Sequence, residues 1–433
     1  MLKLSTLLVA SASALAAQQA PAVRLINTAE ASTKQTLGNV AAVRQLPTGR
    51  LLVNDIAKRQ LVLFDPTLSS ATIVADSIAG GANTYGPSAG SIIGYVGDST
   101  LFIDPRDLSM FVLDPNGAIA RVAAVPRSQD APMLGSNILG SPALDSKGRL
   151  VYRGGIGRIM RPPTAAGGMP MPDFPDSSAI VRIDLASRKL DTAAFYKIPK
   201  TKMNIVQSDK GISMTSEINP MQIVDDWAVL ADGSIAIVRG QDYHIDWVNA
   251  DGSTTTSSKL SFDWQRLSDE DKIAVIDSAK AAAEQARAKM QAAGGTNQAF
   301  GGGAPGGGGD GMIVMSMRAG GEAAARGAGP GAAGGPMTAP MNFVTPSELP
   351  DYRPVFSQGA ARADLDGNLW IRTSATRNGA IAGPIYDVVN RKGEVTDRIQ
   401  VPSGRVIVGF AKGGVVYMMA RDDKGAWLER THR

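Results

Sequence analysis

The stretch "DDWAVLADGSIAIVRGQDYHIDWVNADG", residues 225–252, contains the pattern that decides the fold. It holds three runs rich in apolar and β-branched residues: Trp227–Leu230, Ile235–Val238 and Tyr243–Val248. An Asp-Gly pair stands in the turn after the first run and again in the turn after the third. Because glycine supplies the positive φ that tight hairpin turns require, the stretch predicts antiparallel strands joined by hairpins.

The same pattern recurs along the whole chain. It appears in "LPTGRLLVNDIAKRQLVLFDP" from Leu46, in "VGDSTLFIDPRDLSMFVLDPNG" from Val96 and in "LDGNLWIRTS" from Leu365. The glycines of the first turn in each unit are Gly49, Gly97, Gly148, Gly233, Gly367 and Gly413. Their spacings are 48, 51, 85, 134 and 46 residues, so three intervals give a period near 48 and two contain insertions.

A period of this length with two hairpin turns is typical of a four-stranded propeller blade. The sequence therefore predicts an all-β fold, a single six-bladed β-propeller over residues 22–433. The last unit supplies only three strands, and we expect "AVRLIN", Ala22–Asn27, to add the fourth and remove the last exposed sheet edge. A pair of β-sandwiches is the alternative fold.

The stretch from Leu46 resembles a unit of the NHL-repeat and TolB-like superfamily of six-bladed propellers, here of a secreted bacterial type. The resemblance covers nearly all of the chain but rests on short turn motifs, with no residue-by-residue match to a functional motif. The superfamily includes lactonases, lyases and binding modules, so the resemblance implies the fold and leaves the activity open. Its lactonase-type members bind a divalent ion through carboxylates and asparagine amides, which implies Asp225, Asp226 and Asn137 as candidates for an ion such as Ca²⁺.

Two insertions interrupt the repeat. Residues 154–178 form a Pro/Gly-rich loop, and residues 265–345 separate the fourth and fifth units. In the second insertion, Ser268 followed three residues later by Asp271 is typical of a helix start, and predicts a helix from Asp269 to Ala292. The Gly/Ala-rich residues 294–340 cannot bury enough surface to offset their ordering entropy, so we expect a flexible tether there.

The N-terminus reads "MLKLSTLLVASASALAAQQAPAV". Lys3, an apolar run from Leu4 to Leu15 and the cleavage-like Ala14-Leu15-Ala16 predict a signal peptide over residues 1–16. We therefore expect a periplasmic or extracellular protein. No later apolar run approaches the roughly 20 residues that span a bilayer, so we expect no membrane span.

Composition narrows the possible partners. The 44 Lys and Arg residues against 40 Asp and Glu leave a dispersed net charge of +4, which argues against nucleic acid because phosphate binding needs clustered basic residues. With 2 histidines and no cysteine, a His- or Cys-based metal site is excluded, and the residues themselves predict no cofactor. A small molecule or a protein partner remains, and we expect a monomer.

The candidate site follows from strand direction. In an up-and-down blade, the second connection and the crossing to the next blade lie on one side of the disc, and both insertions fall there. Such a loop-rich face is the natural place for binding. The polar residues expected at that end are Asp225, Asp226, Arg239, Asp242, Tyr243, His244, Arg153, Arg362 and Arg372. Arginines and aspartates around a channel mouth suit an anionic or polyhydroxylated ligand.

Each of these residues also has a structural interpretation. Asp225 and Asp226 could bond to the backbone of a neighbouring blade, His244 could serve packing or hydrogen bonding, and the arginines could be solvated strand ends. Two function classes therefore stay open. The first is a non-enzymatic binding propeller, and the second is a metal-assisted hydrolase, lactonase or lyase that uses channel carboxylates.

Two further aspartates stand where other units have apolar residues. Asp246 and Asp387 lie on third strands, and we expect them either to form structural ion pairs with Arg239 and Arg372, which end the preceding strands, or to bond to the backbone. On this interpretation, Asp246 is buried and Asp225 lies at a solvated channel mouth. Loss of Asp246 should then destabilise the fold more than loss of Asp225.

Overall fold

The computed structural model describes residues 20–78, 83–86, 90–135, 140–155, 159–160, 172–173, 175–199, 202–208, 211–292, 342–379, 381–423 and 425–433. The expected signal peptide, Asn137, the Gly/Ala-rich segment 294–340 and most of the loop 154–178 lie outside these residues. The predictions made for them therefore stay predictions.

Among the described residues, six of the sheets correspond one to one to the predicted blades, each with four antiparallel strands, and confirm the six-bladed propeller. Blade 1 comprises Val40–Gln45, Leu51–Asp55, Gln60–Phe64 and Ala71–Asp76; blade 2 comprises Ser91–Gly94, Thr100–Asp104, Ser109–Leu113 and Ile119–Ala124; blade 3 comprises Ala143–Leu144, Leu150–Arg153, Ser177–Ile183 and Leu190–Lys197. Blade 4 comprises Asp226–Val229, Ile235–Arg239, His244–Val248 and Thr254–Thr256; blade 5 comprises Ala361–Ala363, Leu369–Arg372, Ile385–Val389 and Val395–Gln400; blade 6 comprises Arg405–Ala411, Val415–Asp422, Gly425–His432 and Ala31–Ser32.

The blades form a closed ring because an apolar cluster fills each interface between neighbours, including the one between blades 6 and 1. The second strand of blade 1 shows how the strands serve two interfaces. Leu51 and Val53 belong to the cluster shared with blade 6, whereas Leu52 belongs to the cluster shared with blade 2. Successive side chains point to opposite faces, so a sheet buried on both faces reads as a continuous apolar run.

An N-terminal strand closes the ring, but its predicted position was wrong. Val23–Leu25 pairs in parallel with Val395–Gln400 and so adds a fifth strand to blade 5, where Arg24 Nε lies 3.0 Å from Asp397 Oδ1. The fourth strand of blade 6 is instead Ala31–Ser32, antiparallel to Gly425–His432. The chain thus crosses from the edge of blade 5 to the edge of blade 6 before it enters blade 1.

Backbone hydrogen bonds fix this closing segment. The N–H groups of Glu30, Thr33 and Leu37 donate to the carbonyls of Arg430, Leu428 and Ala426 at 2.8, 2.9 and 2.7 Å. Such bonds can be made by any residue type except proline, so the polar stretch "EASTKQTL" closes the blade although "AVRLIN" has the higher β-propensity.

The long connections all leave the ends of the sheets predicted to form the loop-rich face. Between blades 3 and 4, Lys202–Ser208 and Gly211–Ile218 form a hairpin that Asn342–Phe343 extends in parallel. Two small hairpins lie within second connections. One pairs Ile159–Met160 with Pro172–Asp173 in blade 3, and the other pairs Arg377–Asn378 with Ile381–Ala382 in blade 5.

A long helix, Asp269–Ala292, stands in the insertion between blades 4 and 5, where the sequence predicts it. The Ser268 N–H donates to Asp271 Oδ2 at 2.9 Å and the Asp271 N–H donates to Ser268 Oγ at 3.1 Å, which caps the helix start. The helix docks through a small cluster made of Ile276 with Met221, Leu267, Val344 and Leu349. Among the described residues, the other helical segments are the α-helix Ala131–Leu134 and the 3₁₀ turns Val96–Asp98, Ser128–Asp130 and Pro346–Glu348. Within the described residues, no helix has both the length and the apolar character needed to cross a bilayer.

The closing segment can be tested with a matched pair of leucines. Leu37 is 3% exposed in the cluster between blades 1 and 6, whereas Leu25 is 44% exposed. We expect Leu37→Ala to lower the free energy of unfolding by about 2–4 kcal/mol because it leaves a cavity, and Leu25→Ala to change it by less than about 0.5 kcal/mol. Chemical denaturation of both variants measures this, and equal effects would contradict closure by the Ala31–Leu37 segment.

Candidate functional site

Asp225, Arg239 and Asp246 form a partly buried ion-pair network in blade 4. Arg239 Nη1 lies 2.7 Å from Asp225 Oδ2, and Arg239 Nε lies 2.7 Å from Asp246 Oδ2. Asp225 also accepts hydrogen bonds from the N–H groups of Lys197 at 2.9 Å and Gly240 at 3.2 Å. Burial alone would lower the pKa of Arg239, but the bonds with the two aspartates raise it above its ordinary value. The network ties the start of blade 4 to the end of blade 3.

The positions of the two aspartates reverse the expectation from the sequence. Asp225 is 5% exposed and is not at a solvated mouth, whereas the side chain of Asp246 is 24% exposed. The reason is backbone pairing, since the Asp225 N–H donates to the Lys197 carbonyl at 3.1 Å and holds the residue against the preceding blade. The predicted Arg239–Asp246 ion pair is present.

His244 and Asp242 extend the same network towards solvent. His244 Nδ1 lies 2.6 Å from Asp242 Oδ1, and His244 Nε2 lies 3.5 Å from Asp246 Oδ1. Lys259 Nζ lies 3.2 Å from Asp242 Oδ2. Burial opposes ionisation of Asp242, but His244 and Lys259 outweigh it and lower the pKa of Asp242. His244 therefore bridges two carboxylates, as its structural interpretation requires.

Tyr243 is a core residue. It is fully buried in the cluster between blades 4 and 5, and its hydroxyl donates to Asp387 Oδ2 at 2.7 Å. Asp387 pairs with Arg398 at 3.0 Å, so the expected pair with Arg372 was wrong. Asp387 stands opposite Ile371 in the sheet, which places Arg372, one residue further on, on the other face. Burial raises the pKa of both Tyr243 and Asp387.

Asp226 joins the innermost strands of blades 4 and 5. Its carboxylate is 2% exposed and accepts hydrogen bonds from the N–H of Trp227 at 2.9 Å and from the N–H of Ala361 at 2.8 Å. Burial raises the pKa of Asp226 to about 7, although these bonds and the positive charge of Arg362 act in the opposite direction. Asp226 thus titrates near neutral pH at the contact between two blades.

Arg362 and Arg372 stand together on the face of blade 5 that is turned towards blade 6. Arg362 pairs with Trp370 and Arg372 pairs with Tyr386, and both aromatic residues belong to the cluster shared with blade 6. Both arginines are partly exposed, and neither side chain makes a hydrogen bond or ion pair to any other residue that the structure describes. Burial lowers the pKa of Arg362, and the positive charge of Arg372 lowers it further, whereas Tyr386 and Asp226 act against this shift.

Arg153 lies apart from this pair. It is the fourth residue of the second strand of blade 3, as Arg372 is in blade 5, but it is 3% exposed between blades 3 and 4. Its Nε donates to Ser178 Oγ at 3.2 Å, and its guanidinium carbon lies 6.0 Å from the centre of the Tyr196 ring. Burial lowers the pKa of Arg153.

The predicted ring of polar residues therefore divides into separate groups. Asp225, Arg239, Asp242 and His244 form a scaffold network in blade 4, Tyr243 belongs to the core, and Arg153 lies at the interface between blades 3 and 4 without joining that network. Arg362 and Arg372 remain as adjacent cations, with Asp226 as the nearest acid that affects the pKa of Arg362. In the part of the chain that the structure describes, no group of three or more His, Asp or Glu side chains is arranged to hold a metal ion.

One feature of the loop-rich face was missed by sequence reasoning. A cavity of about 190 Å³ is lined by Ile223, Gly240, Gln241, Trp264, Pro350, Asp351, Tyr352 and Pro354. The residues come from four separate segments, so no local pattern marks the cavity. The available signal was the concentration of aromatic residues and prolines at both ends of the insertion, in "SFDW" and "LPDYRPVF".

Comparisons with known proteins give no family for this chain. No protein-family model matches it, and no curated protein matches it. Among solved structures, a streptogramin B lyase aligns at 8% identity over 93% of this chain and 85% of that chain, with a TM-score of 0.33. A gluconolactonase from Xanthomonas campestris aligns at 9% identity over 96% and 99%, with a TM-score of 0.35.

A third solved structure, the calcium-binding protein regucalcin from Agrobacterium tumefaciens, aligns at 10% identity over 95% of this chain and 98% of that chain, with a TM-score of 0.33. Scores and identities this low do not transfer a function. The assignment of the fold rests on the six sheets and the six clusters between them.

The reversed burial of the two aspartates predicts their order of importance for stability. Asp225→Ala leaves Arg239 and two backbone N–H groups short of an acceptor in a buried site, and we expect a loss of about 3–5 kcal/mol. Asp246→Ala removes a half-exposed partner of the same arginine and should cost about 1–2 kcal/mol. Denaturation midpoints of the two variants compare them directly, and a larger loss for Asp246→Ala would contradict the network as described.

Asp226 predicts how stability depends on pH. The unfolded carboxyl loses its proton above about pH 4, whereas the folded one keeps it up to about pH 7. In this window the folded state binds more protons, so stability falls as pH rises, by at most about 1.4 kcal/mol per pH unit, and levels off above pH 7. We expect wild type to lose about 3 kcal/mol relative to Asp226→Asn between pH 5 and pH 8, measured by urea unfolding. Parallel pH profiles would show that Asp226 does not titrate there.

Proposed function

We propose that the protein is a periplasmic or extracellular binding propeller that takes an anionic small molecule at Arg362 and Arg372, at the loop-rich end of the interface between blades 5 and 6. The observation that carries the proposal is the adjacency of two guanidinium groups that make no ion pair with any described residue, Asp226 being the one described acid whose charge acts on Arg362. Two like charges partly removed from water are unfavourable unless an anion compensates them. A bound anion would remove that repulsion.

The guanidinium groups also suggest the chemical class of the ligand. Each presents N–H donors in a planar fork that matches a carboxylate or a phosphate through two parallel hydrogen bonds. Trp370 and Tyr386, the cross-strand neighbours of Arg362 and Arg372, are buried in the cluster shared with blade 6 and fix the strands that carry the two arginines. A small carboxylic acid or phosphate monoester therefore fits this site better than a neutral or cationic molecule.

The geometry of the carboxylates supports binding over the enzymatic alternative. A metal-assisted hydrolase, lactonase or lyase would use Asp225 and Asp226 as ligands for an ion such as Ca²⁺. Both Asp226 oxygens accept backbone N–H groups, and Asp225 accepts two backbone N–H groups and the Arg239 ion pair. An ion at these oxygens would compete with bonds that hold blades 3, 4 and 5 together.

The experiment compares two arginines on innermost strands. Arg362→Met removes half of the proposed site and also an uncompensated charge, so we expect unchanged or higher stability together with lost binding. Arg44→Met serves as the control, because Arg44 in blade 1 donates to Thr100 Oγ1 at 3.0 Å and to the Ser99 carbonyl at 3.3 Å. We expect Arg44→Met to lower stability and to leave anion binding unchanged. Calorimetric titration with phosphate, citrate and glucuronate, with glucose as the neutral control, measures binding.

The melting temperature provides the second readout. An anion that binds only the folded state, at 100 times its dissociation constant, should stabilise wild type by about 2.7 kcal/mol. Binding that persists in Arg362→Met would contradict the site. Stabilisation by Ca²⁺ that disappears in Asp226→Asn would instead favour the metal-assisted alternative.

A further inference from the structure

The cavity on the loop-rich face is formed by two segments that run antiparallel across blade 4. The Arg353 N–H donates to the Gln265 carbonyl and the Leu267 N–H donates to the Asp351 carbonyl, both at 2.9 Å. These bonds hold residues 262–267 against residues 350–354. The connection containing Gly240 and Gln241 closes the third side of the cavity. The cavity is therefore part of the fixed framework rather than a gap between independent loops.

The walls of the cavity present aromatic rings to solvent. Trp264 is 39% exposed and Tyr352 is 47% exposed, although both residue types usually bury their rings. Phe262 meets the Trp264 ring edge-on, with 5.6 Å between ring centres and an angle of 84°, and so holds it in place. Pro350 and Pro354 flank Tyr352 and restrict the backbone on either side. Rigid, exposed aromatic faces are suited to stacking with a flat apolar surface.

The rim of the cavity is polar but electrically balanced. The Gln241 side chain is exposed and makes no hydrogen bond to the other described residues, so its amide can both donate and accept. Asp351 Oδ1 accepts a hydrogen bond from Lys272 Nζ at 2.7 Å, and this bond and the charge of Lys272 lower the pKa of Asp351. Because Lys272 compensates the carboxylate, the cavity offers no net negative charge to a cation. Hydroxyl groups are the natural partners of such a rim.

We propose that this cavity binds a neutral saccharide, with one pyranose ring stacked on Trp264 and its hydroxyl groups bonded to Gln241 and Asp351. A pyranose ring has an apolar C–H face and a polar edge, which match the aromatic wall and the polar rim. The volume of about 190 Å³ is below the roughly 300–1,000 Å³ of pockets for drug-sized molecules. It suits a single ring, so the saccharide should bind with millimolar affinity.

This proposal does not depend on the anion site. The residues that line the cavity belong to blade 4 and the insertion, whereas Arg362 and Arg372 face blade 6. The two sites can therefore be lost or retained separately.

The test uses the full chain and saturation-transfer NMR with glucose, galactose, mannose and N-acetylglucosamine as probes. We expect at least one sugar to bind wild type, and Trp264→Ala to weaken that binding tenfold or more. Phe195→Ala is the matched control, because the Phe195 side chain is 61% exposed on the outermost strand of blade 3 and does not line the cavity, so its loss should leave sugar binding unchanged. Gln241→Ala gives a second variant that leaves the aromatic wall intact, and we expect it to weaken binding severalfold.

Three results would overturn the proposal. They are the absence of binding by all four sugars, sugar binding that persists undiminished in Trp264→Ala, and quenching of Trp264 fluorescence by a proline-rich peptide but by none of the sugars. The last result would make the cavity a peptide groove, since proline-rich segments also dock on aromatic surfaces. Unchanged melting temperatures for Trp264→Ala and Gln241→Ala would show that lost binding does not arise from unfolding.

Discussion

The fold depends on each of the six blades being buried between two other blades. A blade has two apolar faces, and neither can be covered from within the blade, so the clusters between neighbours supply the core. The ring must then close, because an open ring would leave the faces of blades 1 and 6 in water. Leu37 and Leu428, which lie in the cluster between these two blades, make that closure apolar as well as hydrogen-bonded.

The same constraint explains which polar residues are structural. A charged group placed between two blades leaves water and must find a partner there. Asp225 finds Arg239, Asp387 finds Arg398 and Tyr243, and Asp226 accepts hydrogen bonds from two backbone N–H groups. Apart from the N–H of Trp227, which follows Asp226 in the same strand, these partners lie on other strands or other blades, so the bonds that compensate the charge also fix the ring. Arg362 and Arg372 are set apart because neither makes an ion pair or a side-chain hydrogen bond with a described residue.

Sequence reasoning succeeded where the signal is local. Turn glycines, apolar runs and the helix start at Ser268 can each be recognised from residues close together in the sequence. The number of blades and the position of the helix could therefore be predicted. Sequence reasoning failed where a contact depends on the exact register of two paired strands or on segments that are distant in the sequence. Arg372 does not pair with Asp387, because Asp387 faces Ile371, the residue before Arg372, and Arg372 lies on the other face of the sheet. The closing strand is Ala31–Ser32 because its backbone pairs with Gly425–His432. The cavity around Trp264 depends on segments almost 90 residues apart, which no local pattern records.

The proposed anion site and the titration of Asp226 are linked through Arg362. Ionised Asp226 and a bound anion would both be attracted to the guanidinium of Arg362. The charge of this guanidinium acts to lower the pKa of Asp226, and the charge of Asp226 acts to raise the pKa of Arg362. An anion bound to Arg362 would neutralise the positive charge that favours the ionised carboxylate of Asp226. Binding would therefore shift Asp226 towards its protonated form. By reciprocity, protonated Asp226 leaves Arg362 more available to the anion. Because Asp226 also bonds to the first strand of blade 5, occupancy of this site would be coupled to the contact between blades 4 and 5.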